Sequence, residues 1–456
     1  MLIRLTLNNF LSFREKVSFS MVPTREKQHS ERIFSHEERD LNILPIAALY
    51  GANGSGKSNF YKAVEFLRDL VLSPAQSPDE QIPVRPFRLD TGSENAPTSF
   101  CIEVLAPDDR VYRLTLLVTK ERVLEEKLEF VGASKDRLIY RRDAERAFEP
   151  GEWYNDALPV EEREFLTFKA RDTLPNQLFL AALRGRNIRH VDGIIRWFKN
   201  GLQLMTPNTL FKQLDISLSA IQGLRQYCID ALVRADTGIA GLSRRSVHIS
   251  ELPWDEIPVG TDVEKWLRKV IPVGRAMLMA GPSGERFTIR HEETGLIATR
   301  LTTVHRAQDG REVEFLMSEE SDGTQRFVDL LPAFYDLGNS DTPKVFVIDE
   351  IDRSLHTTLT QNLIGAYVKG LTERSRSQLI FTAHDVLLLN QDLLRRDEVW
   401  FAEKDSSGNS TLIPLGEQKG VRADRVIMKS YLHGDFGGLP RISQLPHAPT
   451  RVRTSE

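Results

Sequence analysis

The sequence predicts an α/β protein with a mixed β lobe and an α/β lobe, interrupted by a mainly helical insertion. Three observations carry this expectation. The apolar run Ile46 to Tyr50 passes into the glycine-rich stretch Gly51 to Ser58 and then into the helical pattern Phe60, Val64, Leu67, Leu70, Val71, which reads as strand, loop and helix. Val345 to Ile348 and Gln378 to Thr382 are short, apolar and β-prone, as parallel strands buried on both faces are. From about residue 159 to 275 the apolar spacing becomes helical.

The elements follow in order. Residues 2 to 7 set Leu2, Arg4 and Thr6 against Ile3, Leu5 and Leu7, and Val17 to Met21 alternates again, which predicts an antiparallel opening hairpin. After the loop helix, residues 73 to 97 are rich in proline and serine. Thr98 to Val104 and Val111 to Thr119 then read as a hairpin around Pro107-Asp108-Asp109, with further strands to about residue 142. In the middle stretch Phe179, Leu180 and Leu183, and then Ile194, Ile195 and Phe198, fall on single helical faces. Leu214, Leu218, Ile221, Leu224, Cys228 and Leu232 continue the pattern, but Gly201, Pro207 and Gly223 interrupt it, so no long coiled coil is expected. Strand alternation returns at Phe287 to Arg290 and Leu296 to Val304, and Arg326 to Tyr335 reads as helix. The expected divisions are 1–142, 143–275 for the insertion, 276–440, and a tail at 441–456.

Composition narrows the functional classes. The 456 residues are 41% hydrophobic and 27% charged, which sets aside disordered and fibrous classes. Lys plus Arg number 60 against 64 Asp plus Glu, so the net charge of -4 holds no global basic excess for nucleic acid, and any DNA contact needs a local patch. Two cysteines, Cys101 and Cys228, make neither a disulfide framework nor a CxxC site, and the histidines show no zinc-ligand spacing. The charged opening residues do not resemble a signal peptide, and no apolar run is long enough to cross a bilayer. A cytoplasmic chain without membrane contact is the expectation.

Gly51, Ala52, Asn53, Gly54, Ser55, Gly56, Lys57 and Ser58 fit G-x-x-x-x-G-K-[ST] at each fixed position, between a strand and a helix. Glycines let successive backbone N–H groups face phosphate oxygens, with Asn59 opening the helix behind them. Lys57 reaches the β and γ phosphates and the Ser58 hydroxyl ligates Mg²⁺. Val345 to Ile348 then delivers Asp349 and Glu350 at its C-terminal end, where α/β sheets hold ligands. Asp349 is suited to the Mg²⁺ coordination sphere and Glu350 to activating water as general base. ATP and Mg²⁺ are therefore the expected ligands.

Lys57 and Asp349 stand far apart in the chain, whereas compact P-loop cores place the acidic strand sooner. Before that strand lies Ser321-Asp322-Gly323-Thr324-Gln325, and after it Phe381-Thr382-Ala383-His384. With these motifs the chain resembles the ABC-type ATPase heads of the RecF, OLD and structural-maintenance-of-chromosomes group. The resemblance implies a head-to-head dimer that sandwiches ATP. Ser321 and Gly323 would meet the γ-phosphate bound on the opposite protomer, and His384 would sense that phosphate. Ser354-Leu355-His356 would be the D-loop, and Gln76, Gln81 and Gln177 are candidates for the Q-loop. Asp322 and Thr324 replace the glycines of transporter-type signatures. That variant, the opening Asn9-Phe10-Leu11-Ser12-Phe13 and the stretch Tyr431 to Pro440 more closely resemble stand-alone prokaryotic AAA ATPases such as the ATPase subunits of RloAB-type anti-phage pairs. The resemblance implies that dimerisation on ATP controls an effector encoded next door, such as a nuclease. The chain after His384 is too short for the separate nuclease domain of OLD-type proteins. The alternative is a RecF-like repair clamp that grips DNA. Arg184, Arg186, Arg189 and His190, with Arg244 and Arg245 before His248, would supply the phosphate contacts, or else form solvated faces.

Overall fold

The computed structural model describes residues 1–434 apart from 37–38, 146, 153, 155–157, 187, 211–217, 219–220, 249–251, 253–262, 281–285, 340–342 and 418–426. The tail at 441–456, residues 435–440 of the Tyr431 to Pro440 stretch, and Leu214 lie outside the described residues.

The β lobe is a seven-stranded antiparallel sheet. Its spatial order is Phe148–Pro150, Arg137–Asp143, Val123–Phe130, Val111–Val118, Thr98–Leu105, Leu2–Asn8 and Val17–Ser20. The opening hairpin forms as predicted, with Leu5 opposite Phe19 and Leu7 opposite Val17. Alternation buries Leu5, Leu7, Val17 and Phe19 on one face, which is the period-2 burial that strands impose.

The second sheet has six strands, ordered Leu202–Met205, Val345–Ile348, Gln378–Thr382, Ile46–Tyr50, Val399–Lys404 and Ser410–Pro414. The first five run parallel to their neighbours and only the last is antiparallel. Both faces are covered. Ala47, Leu49, Val345, Val347, Ile380 and Trp400 pack toward the β lobe and the loop helix Lys57–Leu72. Ile46, Ala48, Tyr50, Phe346, Ile348, Leu379 and Phe381 pack on the other side against helices Gln222–Arg234, Asp322–Leu337 and Thr357–Lys369. The register Met205–Ile348–Phe381–Ala48 aligns the strand ends, so the chain leaves three neighbouring strands at one edge through Gly51, Asp349 and Ala383.

The region read as mainly helical is more mixed. Helices Val160–Asp172, Phe179–Ala182, Arg189–Arg196 and Val263–Val270 are present, and Arg189–Arg196 continues into a π-helical segment, Trp197–Gly201. Strand Leu202–Met205, however, edges the nucleotide sheet, and Ile239–Val247 joins a third sheet with Gly295–Arg306, Arg286–Glu292, Ala276–Ala280 and Glu312–Leu316. The first of these corrections has a physical cause. A four-residue apolar edge strand has too few positions to show a period, and its pairing partner decides its form. Among the described residues no helix exceeds the 16 residues of Lys57–Leu72 and Asp322–Leu337, and none is long and apolar enough to cross a membrane.

Candidate nucleotide site

The loop Gly51 to Ser58 leaves a fully buried strand and turns into a helix whose apolar face holds it in place. Gly56 adopts φ +121°, and a Cβ there would stand 2.7 Å from Ser410 Oγ, so both conformation and space require glycine. The loop is buttressed from both ends of the chain. Asn59 Nδ2 and Ser410 Oγ each donate to Ser12 Oγ at 2.7 Å, Ser410 N donates to Ser12 O at 2.7 Å, and Asn409 Oδ1 accepts from Arg14 N at 2.9 Å. Lys57 is 4% exposed and its Nζ donates to Gly51 O at 2.7 Å and Ala52 O at 3.1 Å. Burial lowers its pKa, opposed by Asp349, Glu350 and Asp352. Ser55 Oγ is buried with no hydrogen-bond partner, an orphaned donor lining the loop.

The carboxylates meet this loop. Ser58 Oγ donates to Asp349 Oδ1 at 3.3 Å, and Thr382 Oγ1 donates to the same oxygen at 2.6 Å. The Thr382 hydroxyl also accepts the Glu350 N–H at 2.8 Å, so one side chain on the central strand orients both acids. Glu350 sits at φ +47°, a left-handed conformation that costs a non-glycine residue about 1–3 kcal/mol and points to a functional constraint. Its Oε1 lies 3.7 Å from His384 Nε2 and its Oε2 3.9 Å from Arg353 Nη1. Asp352 Oδ2 accepts from His384 N at 2.8 Å and Asp385 N at 2.6 Å, which fixes the histidine loop.

The AAA_21 family profile, described as "AAA domain, putative AbiEii toxin, Type IV TA system", matches residues 46–221 and 224–390, more than half of the chain. The chain belongs to this AAA family. It is therefore a P-loop nucleotide-binding protein of an ATPase family. No curated protein matches it in sequence. Among solved structures it is similar to the "SMC head domain from Thermotoga maritima", at 13% identity and a TM-score of 0.36 over 91% of this chain and 98% of that one. It is also similar to the "SmcHead bound to the C-winged helix domain of ScpA", at 13% identity and a TM-score of 0.41 over 90% and 97%.

In this AAA chain the remaining predicted residues fall in a second place. Ser321 caps the helix Asp322–Leu337, its Oγ accepting from Thr324 N at 3.1 Å. A Cβ on Gly323 would stand 2.5 Å from Ser354 O, so the Ser321–Gly323 turn and the Ser354 turn form one surface. Among the described residues, no hydrogen bond joins Ser321 or Gly323 to the loop of the same chain. Of the glutamines, Gln76 donates to Pro74 O, Gln81 lines a cavity behind the loop helix, and Gln177 O accepts from Arg142. Among the described residues none of them bonds to the loop. Arg184, Arg186 and Arg189 are exposed, and Arg186 lies 5.7 Å over the Phe165 ring. Sequence reading missed Thr382 and Asp352 as organisers and Ser12, Asn409 and Ser410 as supports. Thr382 was visible inside the Phe381 to His384 motif and Ser12 inside the Asn9 to Phe13 stretch, whereas Asn409 and Ser410 carry no local signal.

The residues fit Mg²⁺ by their donor set. A hydroxyl and a carboxylate, both hard oxygen ligands, converge at Ser58 and Asp349, and Mg²⁺ commonly takes one or two carboxylates and completes its shell with water and phosphate.

Proposed function

We propose that this chain hydrolyses ATP between two copies of itself, and that the resulting closure and opening controls a separately encoded effector in anti-phage defence. The observation that carries the catalytic part is the convergence of Lys57, Ser58, Asp349, Glu350 and His384 at one sheet edge. Ser58 and Asp349 would hold Mg²⁺, which neutralises phosphate charge when bound. Lys57 exchanges its loop carbonyls for phosphate oxygens. Glu350 orients the attacking water and accepts its proton, and His384, next to it, donates to the terminal phosphate. Ser321 and Gly323 remain free of their own loop, which suits a contact with the nucleotide on a second copy. The AbiEii and Type IV toxin–antitoxin words in the family description support a partner effector, and cytoplasmic location is part of this reading.

Glu350→Gln keeps the shape of the site and removes the base. With saturating ATP the variant is expected to accumulate as a dimer on sizing with light scattering while turnover falls at least about a hundredfold. A monomer under those conditions sinks the sandwich.

A second reading, a DNA clamp, is favoured by one feature. A cavity of about 1230 Å³ in the β lobe is lined by basic residues that include Arg39, Arg110, Arg137 and Arg141, set among the acids Glu129, Asp136, Glu149 and Glu152, with Arg110 5.1 Å over the Phe130 ring. Steeply salt-dependent duplex binding that disappears in Arg110→Glu, Arg137→Glu supports it. Indifference to both counts against it.

A further inference from the structure

A buried guanidinium near the paired carboxylates lacks a full set of partners. Arg326 lies on the helix Asp322–Leu337, just beyond the Ser321 cap, and is 5% exposed. Its Nη1 donates to Thr206 O at 3.1 Å, while Nε and Nη2 are buried without an acceptor. Thr206 directly follows Met205, whose carbonyl accepts the Asp349 N–H at 2.8 Å. One side chain thus spans from the helix that opens at the Ser321–Gly323 turn to the end of strand Leu202–Met205, the direct neighbour of the strand that delivers Asp349 and Glu350. The charges that face it are Asp329 on its own helix, Arg353 after the acidic strand, and the Asp349 and Glu350 carboxylates.

Two buried nitrogens without acceptors, carrying three N–H groups, bear the full desolvation cost and return nothing in this arrangement. A methionine or leucine would fill the same space without that cost. The fork already holds one bond to the acidic strand's neighbour, and packed helices shift by about 1–2 Å when an interface closes, which would change the acceptors it meets at the strand end.

We propose that Arg326 is the positioning residue that couples the Ser321–Gly323 turn to the Asp349–Glu350 carboxylates, its spare Nε and Nη2 donors engaging that pair when nucleotide closes the site. The inference rests on the ATPase reading above. It accounts for an arginine in a buried position, because lysine lacks the planar fork needed to hold Thr206 O and a carboxylate together.

Arg326→Met and Arg326→Lys in the full chain test it, with steady-state ATP turnover, titration of a fluorescent ATP analogue and thermal melting. In both variants kcat is expected to fall at least about tenfold, while KM and analogue affinity stay within about threefold. Arg326→Met is expected to melt at or above the wild-type temperature, since it removes two unpaired buried donors, an effect that a purely structural arginine would not produce. Turnover within about threefold of wild type in either variant overturns the proposal. So does a matching fall of melting temperature and turnover in both, which would assign Arg326 to fold maintenance alone. A wild-type chain no faster than Lys57→Ala defeats the ATPase reading itself, and is thereby distinguished from failure at Arg326.

Discussion

Gly323 shows how closely single atoms constrain this protein. The 2.5 Å approach of its missing Cβ is to a backbone oxygen, Ser354 O, which cannot rotate away as a side chain would. Ser354 itself holds φ +63°, so the partner turn has little slack. Gly323→Ala therefore displaces the Ser354 turn as well as the Ser321–Gly323 turn. ATP turnover is expected to fall at least about tenfold, whereas affinity for a fluorescent ATP analogue stays within about twofold, because the Lys57 loop is untouched. Unchanged turnover would show that this surface plays no part in the reaction. Glu350 illustrates the complementary case, in which a strained residue is retained: its left-handed backbone lets Thr382 hold the amide while the carboxylate faces His384.

Between elements, buried charge fastens the segment 24–32 to the turn that starts strand Val399–Lys404. Arg32 Nη2 and Arg395 N both donate to Glu398 Oε2 at 2.7 Å, and Arg395 grips Asp397 through Nε and Nη2 at 2.8 Å. Burial pushes the Glu398 carboxyl up to about 7, with Asp397 adding to the rise and Arg32 and Arg395 opposing it. The folded chain then holds a proton that the unfolded chain releases near its ordinary value of 4.5. Stability from this group is full below that value and is lost as pH rises toward 7. Melting temperature is expected to decline between pH 5 and 7 by a few degrees more in the wild type than in Glu398→Gln, and equal slopes would show that the carboxyl is already ionised in the fold. None of this network was legible in the sequence, because its members are spread over residues 24 to 398 and each reads locally as a surface charge. The glycine loop, the acidic strand and the histidine strand were legible for the opposite reason. Each packs its apolar run and its chemistry into one short contiguous stretch, at most the thirteen residues 46–58, so spacing alone reveals it. Leu202–Met205 fell between these cases: its residues suit a helix as well as a strand, and only pairing with Val345–Ile348 decides.

At the scale of the whole molecule, the nucleotide sheet draws strands from near residues 46, 202, 345, 378, 399 and 410, so the presumed insertion cannot be excised without losing an edge strand. If the proposed defence role holds, cells carrying this gene with its native neighbour should resist phage, and Lys57→Ala should abolish that protection in a plating assay. Equal plating across a broad phage panel would turn attention to the β-lobe cavity and to DNA.

The contact between Ser12 and Ser410 also has a meaning in time. These residues are 398 positions apart, and both touch the loop around Gly56 and Asn59. During synthesis at about 5–20 residues per second, the loop leaves the ribosome roughly 20–70 s before its last support does. A nascent chain therefore carries a recognisable phosphate loop without the frame that shapes it. The frame around the loop is complete only in a chain synthesised past Ser410.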